Sequence, residues 1–404
     1  MINSSLIRFR NLIKIKSDVV KPFEDEKKYI STGDFDSEQF ELVTYENKPS
    51  RANLIVKEGQ ITLAKMKGTE KVRIVTKEME NNIYSTGFFA IEPKNIDIDF
   101  LYYVMKSSEF IQEKDSYSYG TTQFSINEDR LKNIKIRIVL DKEHQIRISN
   151  LLRKKLQDID KLVDVENQQI EKIKEYMQSL IAESVLKGID KNVSLKKSGV
   201  EWIGEIPNEW DVVRIKDAFI LNNERTEEIN LNNVNLISLY TDKGVVQHTD
   251  LVEITGNKAV TAEGYKLVRK NDIVVNIILC WMGAVGMSNY DGVTSPAYDI
   301  YHPKSNIISK YYHYLFRTKR FNGECFRYGR GIMMMRWRTY SNEFLSIRIP
   351  LPSYDEQAKI VDYLDKKCDI IERLINIKKQ KIERLVEYKK SLIYEYVTGK
   401  KEVY

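Results

Sequence analysis

The sequence predicts an α+β protein built twice, with two β-rich domains separated by two long antiparallel, coiled-coil spacer helices in an internal pseudo-two-fold duplication. Three observations predict it. The chain aligns with itself at an offset of 212 residues; two long stretches, Lys142 to Lys187 and Asp355 to Val397, contain no Gly or Pro; and the segments between them are short β-branched runs broken by turn residues.

With Gln145 set on Gln357, the pairs Ile148/Ile360, Leu152/Leu364, Lys155/Lys367, Ile159/Ile371, Leu162/Leu374, Ile170/Ile382, Glu175/Glu387, Tyr176/Tyr388 and Leu180/Leu392 coincide. Upstream, Ile136-Arg137-Ile138 falls on Ile347-Arg348-Ile349 at offset 211, the segment from Ser85 to Pro93 on that from Ser295 to Pro303 at 210, and Tyr102 on Tyr312. Two copies of half a chain are a tandem duplication; a solenoid repeats every ~20 to 50 residues.

The helical stretches are rich in Lys, Glu, Leu, Ile and Gln, with apolar residues at three- and four-residue steps. Leu152, Ile159 and Leu162, then Ile170, Ile173, Met177 and Leu180, mark the seam of the first helix, with a phase slip near Glu166. Ile360, Leu364, Ile371, Leu374, Ile382, Leu385 and Leu392 mark the second. At ~1.5 Å per residue each helix reaches on the order of 65 Å, and its apolar stripe needs a partner, for which the other copy is the obvious candidate. Gly188 and Gly399 supply C-terminal stops.

Strands are expected at Leu54-Ile55-Val56, Ile61-Thr62-Leu63, Val72 to Val75, Ile134 to Leu140, Ile273-Val274-Val275 and Leu345 to Leu351, with turns at Lys57-Glu58-Gly59, Lys67-Gly68 and Lys270-Asn271-Asp272. Helical patches lie around Phe100 to Phe110 and Lys310 to Phe321, and the polar segment Asp190 to Ser198 is the expected linker. The domain plan is therefore 1–140 for the first β-rich domain, 141–189 for the central spacer helix, and 190–209 for the linker leading into the second unit. The second β-rich domain takes 210–352 and the C-terminal spacer helix 353–400.

Composition bounds the function. A chain of 404 residues with 42% hydrophobic residues can bury more than one core, and a net charge of +6 allows a polyanionic partner without demanding one. The apolar run Ile273 to Met287 is too short to span a bilayer and reads as buried strand. Arg8, Arg10 and Lys14 interrupt the apolar N-terminal residues, so no signal-peptide core is expected and the chain is expected in the cytoplasm. Cys280, Cys325 and Cys368 are far apart, which argues against a disulfide framework and against a zinc site.

No residue pattern for catalysis emerges. There is no GxxxxGK[ST], and Gly329-Arg330-Gly331 lacks the rest of a dinucleotide fingerprint. His144, His248, His302 and His313 show no metal-ligand spacing and read as surface or satisfied core histidines. No methyl-donor signature and no metal site is found, so no catalytic residue and no cofactor is assigned to this chain.

Cations interleaved with aromatic residues stand out instead. In the second copy Arg317, Lys319, Arg320, Arg327, Arg330, Arg336 and Arg338 lie close in sequence to Tyr328, Trp337 and Tyr340. A planar guanidinium binds phosphate bidentately and can read guanine in the major groove. The first copy has Lys65, Lys67, Lys71 and Arg73 along one hairpin and Tyr117, Tyr119, Thr121, Thr122 and Gln123 in a polar loop. The bland alternative is a solvated basic face. Two such surfaces on a rigid spacer suggest a two-part reader of a double helix, which other proteins achieve by dimerising.

The stretch Ser198-Gly199-Val200-Glu201-Trp202-Ile203-Gly204-Glu205-Ile206-Pro207-Asn208-Glu209-Trp210, followed by Val213-Arg214-Ile215-Lys216-Asp217, resembles the start of a target recognition domain in the DNA specificity (S) subunits of type I restriction-modification systems. Ile349-Pro350-Leu351-Pro352-Ser353-Tyr354-Asp355-Glu356-Gln357 resembles that family's passage into its spacer helix. The first copy departs from the pattern: it lacks the tryptophan-rich start, and Val139 to Gln145 contains neither proline. The resemblance implies a non-catalytic, DNA-binding subunit that reads a split site in double-stranded DNA. It also implies two docked methyltransferase subunits, which supply S-adenosylmethionine chemistry at adenine N6, and ATP- and Mg-dependent restriction subunits, all in phage defence and away from any membrane. Two rivals remain: a coiled-coil scaffold or adaptor without DNA specificity, and, ranked last, a self-contained enzyme.

Overall fold

The computed structural model describes residues 4–37, 40–120, 124–226, 234–241, 243–247, 264–332 and 337–403. The chain divides into two compact units, Met1–Asn167 with Lys378–Tyr404, and Gln168–Ile377. Both long helices are continuous, Lys142–Lys187 and Tyr354–Val397. Each helix contributes residues to both units.

The duplication extends to strand register. In the first unit a sheet runs in the order Ile13–Lys16, Phe88–Pro93, Ile61–Ala64, Val72–Ile74, all antiparallel. The second unit repeats it as Phe219–Asn222, Tyr298–Pro303, Ile273–Asn276, Val285–Met287. Ile61 faces Ile91 and Ile74 in one, and Ile273 faces Tyr301 and Met287 in the other. These central strands are buried along their length, which suits their β-branched composition.

Two of the expected alignments shift. Arg8 pairs with Lys135 and Arg214 with Arg348, while Phe9 N–H donates to Ile134 O (2.8 Å) and Ile215 N–H to Ile347 O (2.9 Å). Lys135, not Arg137, is thus the counterpart of Arg348. A two-residue slip preserves the side-chain face, so the sequence pattern could not detect it. Likewise Leu101, not Tyr102, takes the place of Tyr312: the buried set Phe100, Leu101, Val104, Met105 maps onto Tyr311, Tyr312, Leu315, Phe316.

The helices pair antiparallel within each unit. In the first, Lys389 meets Asp160 and both Lys378 and Lys381 meet Glu166, while Leu152 and Ile159 share a core with Leu392, Ile393 and Tyr396. In the second, Val185 and Leu186, near the end of the central helix, share a core with Ile360 and Leu364, near the start of the other. Leu162 and Leu374, expected in the seam, are 49% and 42% exposed. The seam passes instead through Val163 and Ile375, both partly buried, giving Leu152, Leu156, Ile159, Val163, Glu166, Ile170 at unbroken four- and three-residue steps. No phase slip exists at Glu166. Ile173, Leu180, Ile382 and Leu385 are partly buried, and Ile371 is buried.

Gln145 and Gln357 join each helix to its own domain. Gln145 Oε1 accepts Asp97 N–H (3.0 Å) and its Nε2 donates to Val139 O (2.9 Å); Gln357 Oε1 accepts Ile308 N–H (2.8 Å) and its Nε2 donates to Pro352 O (3.0 Å). The expected linker is partly ordered: Leu195–Lys197 pairs with Glu205–Pro207, and Ile203, Ile206 and Trp210 enter the second core.

Candidate nucleic-acid interface

In each unit the strand Ile61–Ala64 or its counterpart Ile273–Asn276 runs into a loop that binds a hairpin. In the first unit Ile126 N–H donates to Lys65 O and Lys67 N–H to Phe124 O, each at 2.9 Å, and Tyr119 and Ser125 exchange backbone hydrogen bonds at 3.0 Å. In the second, Thr339 N–H donates to Ile277 O (2.9 Å), and Arg330 and Arg338 exchange theirs at 2.8 and 3.0 Å. The polar loop around Tyr119 and the arginine-rich segment around Arg330 are therefore one element in two copies. Thr121, Gln123 and Arg336 lie outside the described residues.

The first unit spends most of its candidate cations on itself. Lys65 Nζ donates to Thr86 O (2.8 Å) and lies over the Phe89 ring, and burial lowers its pKa. Lys71 donates to Thr32 O (2.7 Å) and Arg73 to Phe35 O (2.6 Å). Lys67 is exposed, its ammonium 5.4 Å from the centroid of the exposed Phe124 ring. Tyr119 is exposed, carries the Arg130 guanidinium 4.0 Å above its ring, and its hydroxyl accepts from Asn127. The loop is held from below by Lys114, 0% exposed, which donates to Met66 O (2.8 Å) and Thr69 O (3.0 Å), and by Asp115, which accepts Gly68 N–H.

The second unit keeps more charge at its surface. Lys319, Arg320, Arg327, Arg330 and Arg338 are exposed. Arg327 forms a bidentate pair with the buried Glu324, which raises its pKa, and Arg330 pairs with Glu343 (3.1 Å). Arg317 is directed inward, donating to Val285 O (3.2 Å) and Thr241 O (2.9 Å). Trp337 stacks on Phe326 at 5.0 Å and donates Nε1–H to its carbonyl, and Trp281 meets the same ring edge-on at 5.6 Å. Cys280 and Cys325 lie side by side, Sγ to Sγ 3.3 Å, at the junction that Lys114 fills in the first unit.

Sequence reasoning missed Phe124, Arg130, Lys114, Trp281 and Phe326. Trp281 carries a signal, since an aromatic residue flanked by Cys280 and Met282 interrupts the β-branched run, but the run Ile273 to Met287 as a whole has the composition of a buried strand. Three of the four histidines are described, and none of these joins a group of three potential metal ligands. His144 pairs with Asp141 (2.7 Å), His302 with the buried Asp272 (2.8 Å), His313 is a core acceptor, and His248 lies outside the described residues. Among the described residues no three His, Cys, Asp or Glu side chains gather as a metal site, and no helix is long and apolar enough to cross a membrane.

Known proteins share this arrangement. The family model for the type I restriction modification DNA specificity domain matches residues 10–175 and again 207–385. A Methanocaldococcus jannaschii protein named as the MjaX specificity subunit of a type I restriction enzyme is 26% identical over 330 residues, covering 77% of this chain and 70% of its own. The MjaVIII specificity subunit of the same organism is 31% identical over 142 residues, 34% of this chain and 31% of its own. Among solved structures, a chain from a study of complex assembly and conformational transition in the type I R-M system has a TM-score of 0.75 at 15% identity, covering 98% of both chains. The HsdS subunit from Thermoanaerobacter tengcongensis has a TM-score of 0.55 at 15% identity, covering 98% of this chain and 97% of its own. With two matched copies that together span most of its length, the chain belongs to the type I restriction-modification DNA specificity family.

Proposed function

We propose that this chain is the DNA-reading, non-catalytic subunit of a type I restriction-modification complex, each unit reading one half of a split site in duplex DNA. The observation that carries it is the repetition, strand register for strand register, of a sheet whose loop and hairpin present exposed cations beside stacked aromatic rings. Phosphate contacts fix position, and side chains at loop tips reach base edges. The reader holds the duplex while a partner flips the target base out. Two methyltransferase subunits carrying S-adenosylmethionine dock on it, and ATP- and Mg-dependent restriction subunits join them.

Methylation sequencing of DNA modified by the chain together with its methyltransferase tests the proposal. A two-part motif is expected, and replacing the hairpin around Arg330 and Arg338 with that of a relative changes one half of it. Modification without sequence preference, or duplex affinity that does not fall with salt, assigns the chain to the scaffold reading instead.

A further inference from the structure

The terminal strand pair of each unit places two cations opposite one another. Arg8, the last residue of Ser4–Arg8, is the register partner of Lys135; Arg214, the last residue of Asp211–Arg214, is the partner of Arg348. All four side chains are exposed, and among the described residues none of them forms an ion pair. Directly opposed residues on antiparallel strands have Cβ atoms about 4.5 to 5.5 Å apart, and like charges there repel. A fold that alternates freely between charges has no structural reason to keep this arrangement, yet both copies keep it at the same point of the same strand pair. A locally unfavourable pairing present in both copies points to a ligand that offsets it.

In the second unit the pair opens into a cleft between the strands and the helix Lys319–Tyr328, lined also by Arg320, Arg327, Glu201 and Glu324. Glu324 is taken by Arg327, and Arg320 is exposed on the far wall. The cleft therefore joins the strand-pair cations to the basic helix that precedes the Arg330 hairpin. An anion with several oxygens and repeated spacing fits such a surface, and the phosphate backbone of duplex DNA supplies it.

We propose that Arg8 with Lys135, and Arg214 with Arg348, are paired phosphate clamps that grip the DNA backbone beside each half-site. This rests on the DNA-reading function above and adds to it a sequence-independent grip. The clamps set affinity and salt dependence, while the hairpins set sequence choice.

The test uses the full chain assembled with its methyltransferase subunits, titrated with a duplex carrying its methylated motif and with a duplex lacking it, across a salt series. R214A/R348A is expected to weaken binding to both duplexes alike, on the order of tenfold per arginine at ~0.1 M salt, and to reduce the slope of log K against log salt by about 0.9 per lost contact. R8A/K135A should act equivalently, and R214K/R348K should retain the slope. Melting temperatures of the alanine variants should equal or exceed the parent's, because a repulsion has been removed. Unchanged affinity and slope in the alanine variants, with normal binding by the parent, overturn the clamp and leave DNA reading intact. Loss of methyltransferase assembly without a change in slope assigns the pairs to an acidic protein surface, and the same loss of affinity in the lysine variant shows the effect is not one of charge; each overturns the proposal. A parent complex with salt-independent affinity overturns both the clamp and the function beneath it.

Discussion

Glu166 and Lys378 occupy the same position in the two copies, 212 residues apart, and their side chains meet: Lys378 Nζ donates to Glu166 Oε2 at 3.0 Å. An antiparallel pair of equivalent helices brings a residue opposite its own counterpart at only one level. An exact duplicate would face like with like there, so the two copies must diverge, and here one became an acid and the other a base. Lys381 completes the group at 2.5 Å from Oε1, and Glu166 is 7% exposed. Lys381 and then Lys378 hold its carboxyl below the usual carboxylate range.

Charge reversal at this level tests that account. Glu166→Lys brings three ammonium groups together in the seam and should lower the melting temperature sharply, whereas Glu166→Lys with Lys378→Glu should recover part of the loss. Because the folded carboxyl is depressed, its contribution is present above the ordinary carboxylate range and fades as pH falls through the folded value. A Glu166→Gln variant should therefore differ from the parent in thermal denaturation at neutral pH and converge with it in acid.

Gln145 and Gln357 should behave as matched fasteners. Each is buried and satisfies a backbone N–H and a carbonyl of its own domain. Leucine at either position strands both groups, at a cost of ~1 to 3 kcal/mol for each buried group left unpaired. Hydrogen exchange should show the loosening confined to the unit that carries the change, around Asp97 for Gln145→Leu and around Ile308 for Gln357→Leu.

Lys114→Met keeps the stem of the side chain and removes the ammonium that holds Met66 O and Thr69 O. We expect faster hydrogen exchange in the loop from Lys65 to Lys71 and a blurred preference in one half of the methylated motif. The other half should be unaffected.

Arg338 is the exposed arginine of the second hairpin whose backbone is fixed on both sides, by Arg330 and by the neighbouring Thr339 bond to Ile277. Arg338→Ala should weaken binding to the half-site read by the second unit, by ~1 to 3 kcal/mol if the side chain reads a base. Competition among duplexes varied at single positions measures this. A uniform loss across all sequences would identify a phosphate contact instead.

Period and composition made the architecture legible: the repeat gave the two copies, and Gly- and Pro-free runs gave both helices. The errors share one physical cause, that a pattern records hydrophobicity and not partners. Leu162 carries more apolar surface than its neighbour Val163 and so draws the trace of the seam, and a carboxylate is skipped in that trace, so the path through Val163 and Glu166 looks like a slip in the sequence. The slip of Arg348 from Lys135 to Arg137 preserves strand facing and leaves no trace in alternation. At the candidate interface the residue types were legible but their engagement was not. Lys65, Lys71 and Arg73 look the same in sequence as Lys67, and only the carbonyls of Thr86, Thr32 and Phe35 separate them.

His313 gives the second unit a predictable acid limit. Its Nδ1 accepts Met287 N–H at 3.1 Å, so the ring is needed in its neutral form, and burial, with Arg317 and Lys310 behind it, pushes its pKa down to about 3. An unfolded histidine takes up a proton near its ordinary value of 6.5. Between those values the unfolded chain binds a proton that the folded chain refuses, so stability is unaffected above pH 6.5 and declines as pH falls below it. The limit is ~1.4 kcal/mol per pH unit, and residual solvent contact reduces it, so about 1 to 2 kcal/mol should be lost between pH 6.5 and 5. His313→Asn can offer an oxygen to Met287 N–H without titrating, and should flatten this part of the profile. All four tryptophans, Trp202, Trp210, Trp281 and Trp337, lie in the second unit, so denaturant unfolding followed by tryptophan fluorescence reads that unit alone. Equal pH dependence in parent and variant would mean that the ring is already protonated in the fold and that Met287 N–H is satisfied in some other way.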